Sequence, residues 1–339
     1  MPEPSQPTLL PCGLRLSRLG FGAATQGGLF QQVGQAESTA VFERAWQAGV
    51  RYFDTAPWYG FGLSELRLGE FLRQLDGWVL SSKVGRLLRE GIPPHPSQLY
   101  TDGLPVFKTT TPYNVAYDYS YDGFMRSFEE SLQRLGVDKI DILFIHDPDV
   151  TGRSVREVME GGYRALHELR EQGLVKAIGA GMNQWEMPLE FAQAGEFDLF
   201  LLAGRYTLLE QTSMPFMDYC AQHGIGVVVG GVYNSGLLAD PKPGAHYNYL
   251  EASPEVLRRA LGIQAVCRRF GLDLKAAAIQ FPLAHPAVAS VLTAARDVGQ
   301  LEQNLAAFRA PIPPEFWQAL REEGLLEPSV PTPAEAPHD

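Results

Sequence analysis

Short apolar runs alternate with longer amphipathic stretches along almost the whole chain, and this alternation limits the folds open to it. From about Leu16 the apolar runs read LGFG, VRYFDT, WVLSSKVG, IDILFIHD, VKAIGAG, DLFLLAG, IGVVVGG and VASVLTA. They are continuous in apolar residues rather than alternating, as the strands of a parallel sheet covered by helices must be. Between them lie helical stretches such as ESTAVFERAWQAG, SELRLGEFLRQL, DGFMRSFEESLQRLG, SVREVMEGGYRALHELREQG, MPFMDYCAQHG and VGQLEQNLAAF. In the fourth of these, Val155, Val158, Met159, Leu166 and Leu169 recur at helical spacing. Gly49, Gly136, Gly173 and Gly224 stand where helices stop, the usual residue just past a C-cap. Eight strands alternating with helices, with no linker to split them, predict an α/β fold of one domain: a closed (β/α)8 TIM barrel. An open dinucleotide-binding sheet would need G-x-G-x-x-G after its first strand, and GFGAATQGG has the wrong spacing.

The barrel is expected over residues 14–325, between an N-terminal extension at 1–13 and a Pro-rich, acidic tail at 326–339 that reads as disordered. Residues 87–123, rich in Pro and Tyr, follow the third strand and form a long loop expected to be a lid. Asp and Glu outnumber Lys and Arg by 39 to 28, so there is no basic excess for binding nucleic acid. Cys12, Cys220 and Cys267 have neither metal-ligand nor disulfide-framework spacing. The N-terminus lacks a signal-peptide pattern, and no run approaches the roughly 18 apolar residues of a membrane span. These features predict a cytoplasmic protein without metal or membrane, acting on a small molecule. No exposed stripe chooses between a monomer and a homo-oligomer.

In a barrel, catalytic groups sit at the C-terminal ends of strands. Those ends offer Asp54 after the second strand with Tyr59 just beyond it, Lys83 in the third, and His146 closing the fourth. Each has an ordinary structural reading when taken singly. Together they make a device, because a phenol with a pKa of about 10 exchanges protons near neutral pH only if its phenolate is stabilised. A neighbouring ammonium does that, a carboxylate holds the ammonium in place, and the histidine hydrogen-bonds the substrate oxygen. Such a site suits proton transfer at an oxygen coupled to hydride transfer at the adjacent carbon.

With these residues in view the chain resembles the aldo-keto reductase superfamily over about Leu14 to Phe308, through FDTAPWYGFGLSE, SSKVG, ILFIHD and VLTAARDVGQLEQN. The resemblance implies a tetrad of Asp54, Tyr59, Lys83 and His146 with Tyr59 as general acid/base. It also implies NAD or NADP bound across the strand C-termini without a Rossmann domain. YDYSYDG, AGMNQ, AGRYTLLEQ and GGVYNSGLL resemble the sugar-oxidising branch, which includes the aldose and L-galactose dehydrogenases and pyridoxal 4-dehydrogenase. That branch favours NAD. Cofactor contacts implied by motif position are Gly22, Asp54, Asn183, Arg205, Val232 and Ala294, with backbone N–H groups from Asn234 through Gly236 to Leu237 for the phosphates. Arg296 and Gln300 would face the adenosine 2′ group, and Gln303 and Asn304 the adenine. Arg296 either pairs with a 2′-phosphate or stacks on the adenine. The family's usual glutamine in the sixth strand is Ala203 here, and its stacking aromatic aligns with Gly230. Trp58, Tyr121 and Trp185 are expected to wall the substrate pocket beside Tyr59 and His146, with packing of a βα loop the alternative for Trp185. The resemblance implies oxidation of an anomeric hydroxyl (of L-fucose, D-arabinose or L-galactose type) to a lactone. Its other implied readings are pyridoxal oxidation, carbonyl reduction, and a nicotinamide-binding regulatory subunit.

Overall fold

The computed structural model describes residues 2–100, 102–248 and 250–333. Eight parallel strands close into a barrel: β1 (Leu19–Gly22), β2 (Tyr52–Asp54), β3 (Val79–Val84), β4 (Ile142–His146), β5 (Ala177–Met182), β6 (Leu199–Ala203), β7 (Gly226–Gly230) and β8 (Val288–Thr293). Each of the eight predicted runs supplies one strand. Helices α1 (Gln35–Gln47), α2 (Leu63–Leu72) and α3 (Tyr121–Leu135) follow the first three. The rest of the outer layer is α4 (Val155–Glu160), α5 (Gly162–Glu171), α6 (Glu186–Ala194), α7 (Met214–Gln222), α8 (Pro254–Arg269), α9 (Leu274–Gln280), α10 (Val298–Arg309) and α11 (Pro314–Glu322). No helix among the described residues is long and apolar enough to cross a membrane.

Two cores follow from the period-two alternation of side chains along a strand. Outward residues such as Phe53, Leu80, Leu143 and Ile178 pack under the helices. Inward residues, among them Tyr52, Ile142, Phe144 and Leu201, fill the barrel, and Leu10, Leu14 and Leu16 plug its N-terminal end. The plug comes from an antiparallel hairpin, Pro7–Leu9 with Arg15–Ser17. Residues 7–17 are therefore the floor of the barrel, and most of what was expected as an extension at 1–13 belongs to it.

Three further expectations change. The predicted helix at 154–173 is two helices, α4 and α5, broken at Gly161, whose N–H bonds Glu157 while the N–H of Gly162 turns away to Tyr119. Gly162 sits so close to Phe124 that a Cβ would lie 2.5 Å from its ring, so close packing of the chain sets the break. The loop at 87–123 is ordered at both ends, Arg86–Glu90 pairing antiparallel with Tyr113–Tyr117, and its last residues already belong to α3. Finally, the expected disordered tail is partly packed: Leu326 and Val330 are buried, and Arg321 donates to the Val330 carbonyl at 2.8 Å. Residues 334–339 of that tail lie outside the described residues.

The backbone carrying Tyr59 is fixed by close approach. Gly60, Phe61 and Gly62 all have positive φ (66°, 52° and 92°), a left-handed turn in which glycine is favoured at two of three positions. The turn rests on Gly27, where a Cβ would stand 2.5 Å from the Tyr59 carbonyl carbon and 2.8 Å from the Gly60 nitrogen. Gly27→Ala should therefore cost about 1–3 kcal/mol, as overpacking does, and displace Tyr59. Urea unfolding and turnover should both report it, and a variant that loses neither would show that the turn yields easily.

Candidate active site

Parallel register brings the tetrad together. Asp54 is paired with Ser81, Lys83 with Phe144, and His146 with Gly181. Ser81 and Lys83 are two apart, as are Phe144 and His146, so Asp54, Lys83 and His146 all project inward at the C-terminal mouth, above the core of Tyr52 and Phe144. The Lys83 ammonium donates to both Asp54 carboxylate oxygens (2.9 and 2.7 Å) and to the Thr55 carbonyl oxygen at 2.9 Å. Ser81 donates a further bond to Asp54 at 2.7 Å, while the Tyr52 hydroxyl meets Ser81 at 3.0 Å. Both charges are almost fully buried. Burial pulls the Lys83 ammonium below the usual lysine range, and Asp54 pulls it back.

Lys83 Nζ stands 4.6 Å from the centre of the Tyr59 ring. The His146 ring lies edge-on to Tyr59 at 6.0 Å. Burial, reinforced by the positive charges of Arg86 and Lys83, pushes His146 well below the usual histidine range and keeps it neutral. Its Nδ1 has no hydrogen-bond partner, and its Nε2 lies 3.5 Å from Asp147 Oδ2.

A second buried ion pair stands beside the first and was absent from the sequence reading. Arg86 Nη2 donates to Asp147 Oδ2 at 2.7 Å, both residues almost entirely buried. The guanidinium lies between rings, 4.5 Å from the centre of Trp58 and 5.5 Å from that of Tyr117. Burial raises the Asp147 carboxyl to about 6 although Arg86 opposes the shift. Tyr119 donates to the backbone carbonyls of His146 and Asp147 at 2.6 and 3.1 Å, holding the end of β4. Arg86 and Asp147 are charged residues at strand ends, the same signal that selects Lys83 and His146. Their pairing was hidden because 61 positions separate them.

These groups face a cavity of about 410 Å³. Its roof comes from the loop at 87–123, where Phe107 packs edge-on against Trp58 at 5.2 Å and tilted against Tyr59 at 5.9 Å. The roof is pinned by backbone: the Lys108 N–H donates to the Gly28 carbonyl at 2.9 Å. Trp58 lines the cavity as expected, but Tyr121 and Trp185 do not. Tyr121 opens α3, and its hydroxyl donates to Glu168 on the outer surface at 2.7 Å. Trp185 is the N-cap residue of α6 and packs at the edge of the core between β5 and that helix.

The expected cofactor contacts lie in an arc along the same mouth. Gly22 pairs with Asp54, and a Cβ there would press on Leu292 at 3.3 Å. Asn183 is exposed beyond β5 and lines the cavity. Arg205 reaches Asn248 Oδ1 at 2.7 Å. The 230–238 loop differs from expectation. The N–H groups of Asn234, Gly236 and Leu237 already bond the carbonyls of Gly231, Tyr233 and Asn234, because Asn234, Ser235 and Gly236 form a left-handed turn. What this loop turns toward a ligand is thus its surface, with Gly236 exposed and Val232 and Leu237 buried. The Asn234 side chain donates to the Gly204 carbonyl, while its buried Oδ1 has no partner. Beyond β8, Ala294 is exposed and Asp297 caps α10 by accepting from the Gln300 N–H. The Gln300 side chain accepts from the Arg296 N–H, and the Arg296 guanidinium donates to Gln31 at 2.6 Å. Gln303 is exposed against Lys275. Asn304 is buried, accepting from Tyr233 and donating to Ala294, so its amide ties two loops. An orphaned amide oxygen at Asn234 and a guanidinium at the entrance to α10 fit an extended dinucleotide. Among the described residues no cluster could hold a metal ion.

Residues 18–323 match the aldo/keto reductase family. Pyridoxal 4-dehydrogenase of Microbacterium luteolum is 40% identical over 329 residues, covering 93% of this chain and 96% of that protein. D-threo-aldose 1-dehydrogenase of a Pseudomonas species is also 40% identical, with 97% and 99% covered. The holo form of an aldo-keto reductase from Bacillus halodurans shares the fold at 21% identity, with a TM-score of 0.75 over 96% of this chain and 98% of that one.

The raised carboxyl of Asp147 has a consequence for stability. Its native form takes up a proton at higher pH than the unfolded chain, whose reference value is 3.8. The group therefore favours the folded state at low pH, and that contribution disappears as pH rises through about 6. Relative to Asp147→Asn, which cannot titrate, the unmodified protein should lose stability between about pH 4 and about pH 7. Urea unfolding at the two pH values measures the difference, and parallel profiles would contradict it.

Proposed function

The chain belongs to the aldo/keto reductase family, and from that premise we propose that it oxidises the anomeric hydroxyl of an aldose to its lactone, with Tyr59 as the base. As a member of the family it is an NAD(P)-dependent oxidoreductase. The observation that carries the finer reading is the buried Lys83–Asp54 pair under the Tyr59 ring with a neutral histidine beside it. In a site shielded from water, an ammonium held by a carboxylate favours the phenolate more strongly than solvent would.

Tyr59 takes the proton of the substrate hydroxyl. His146, kept neutral by burial, holds that oxygen through a ring nitrogen. Asp54 and Lys83 keep the phenol poised for the transfer, while Trp58 and Phe107 exclude water and offer ring faces to the C–H surface of a sugar. NAD(P), when bound, supplies the acceptor for the hydride leaving the same carbon. Asn183, Arg205, the 232–237 turn and the Arg296–Gln300 entrance to α10 are the residues proposed to hold it. The names of the aldose and pyridoxal dehydrogenases point to hydroxyl oxidation rather than carbonyl reduction as the working direction. Three unpaired thiols fit a reducing cytoplasm.

Turnover of L-fucose, D-arabinose, L-galactose, D-glucose and pyridoxal should be followed with NAD and NADP separately. One sugar should be oxidised quickly, and Tyr59→Phe should abolish the rate while leaving cofactor affinity intact. A near-normal rate in that variant would remove Tyr59 from the chemistry, and oxidation of pyridoxal alone would replace the sugar with a vitamin. For the cofactor, Arg296→Ala should weaken NADP more than NAD if the guanidinium meets a 2′-phosphate. The loss is then about 1.5–3 kcal/mol, the worth of a hydrogen bond to a charged group. Equal losses for both would assign Arg296 to stacking.

A further inference from the structure

The Arg86–Asp147 pair is poorly explained as a structural element. A buried ion pair offsets its desolvation only when its remaining protons and lone pairs are also bonded, and apolar residues of like volume commonly do better. Here that condition is met only in part. Arg86 Nε and Nη1 have no hydrogen-bond partner. Among the described residues, Asp147 is engaged through Oδ2, by Arg86, with His146 Nε2 at 3.5 Å. The Tyr119 hydroxyl gives its proton to the His146 and Asp147 carbonyls and can accept one bond from the guanidinium. The raised carboxyl of Asp147 is a further sign that its charge is under-solvated.

Both residues line the catalytic cavity, with Trp58 stacked on the guanidinium. We infer that Arg86 and Asp147 are a hydroxyl-reading pair that selects substrates bearing a vicinal diol at the carbon being oxidised. A hydroxyl is both donor and acceptor. The carboxylate accepts from the hydroxyl on the neighbouring carbon, and the guanidinium donates to the same oxygen or the next, so one cation–anion pair satisfies a diol with charge-assisted bonds. A substrate without that hydroxyl leaves the pair unmatched, and selection against it follows from the groups left unbonded. The inference rests on the dehydrogenase reading of the cavity and narrows it toward polyhydroxylated hemiacetals.

D-Arabinose and 2-deoxy-D-ribose differ only in the hydroxyl on carbon 2, which makes them matched probes. Their affinities for the full-length Tyr59→Phe protein saturated with NAD are read by ligand-detected NMR, so that no turnover is needed. Arabinose should bind about 10- to 100-fold more tightly, and adding Asp147→Asn should shrink that preference to about threefold or less. Arg86→Lys keeps the charge but loses the planar fork. It should shrink the preference too, and it decides the matter if the asparagine variant does not fold. Losses shared equally by the two sugars, no preference in the parent, or no binding of either would overturn the inference. Turnover by the unmodified protein is measured alongside. Absent turnover with an intact, Asp147-dependent preference would reject the dehydrogenase reading and leave the diol-reading pair standing. Turnover without preference would do the reverse.

Discussion

The ammonium of Lys83 and the carboxylate of Asp54 are held out of water at the top of a packed barrel, and much of the site is arranged around keeping them there. Removing one partner of such a pair typically costs about 3–5 kcal/mol, because a bare charge stays behind. Here the carboxylate is bonded twice by Lys83 and once by Ser81, and the ammonium also donates to the Thr55 carbonyl. The barrel makes this possible by supplying adjacent strands in fixed register. Asp54 and Ser81 sit at one level and Lys83 one inward step higher. A one-residue slip of β3 would send Lys83 outward among the helices and leave Asp54 unpaired.

Around this pair the chain closes tightly. The left-handed turn at 60–62 and its contact with Gly27 fix Tyr59 from behind, and Phe107 covers it from above. The roof belongs to a segment with little regular structure, yet it is anchored at its ends by a hairpin and in the middle by the Lys108–Gly28 bond. An enclosed site strengthens each charge interaction within it. Burial, and then the charges of Arg86 and Lys83, keep His146 neutral.

The side of the mouth proposed for the cofactor is built differently. Its polar groups are on turns and at the entrance to α10, and several are already bonded to one another, as in Arg296 with Gln31 and Arg205 with Asn248. A dinucleotide bound along this arc would exchange those contacts for its own. The left-handed run at 234–236 is a strained conformation of the sort that persists where the surrounding structure holds it.

The sequence alone carried the architecture and the tetrad. Strand count, order and closure were legible because continuous apolar runs separated by amphipathic helices fit few other folds, and Asp54, Lys83 and His146 were visible as polar residues ending buried strands. The wall of the pocket was legible only at Trp58. Tyr121 and Trp185 have the composition of a sugar platform, but Tyr121 begins a helix on the outer face, and Trp185 stands at the start of another and packs against the core, the alternative its position left open. Arg86 and Asp147 were overlooked for the opposite reason. Each looked ordinary until the fold set them 2.7 Å apart. Periodicity is a local property that a sequence must display to fold at all, whereas the partner of a charge is chosen by residues far away in the chain, and only the closed barrel brings them together.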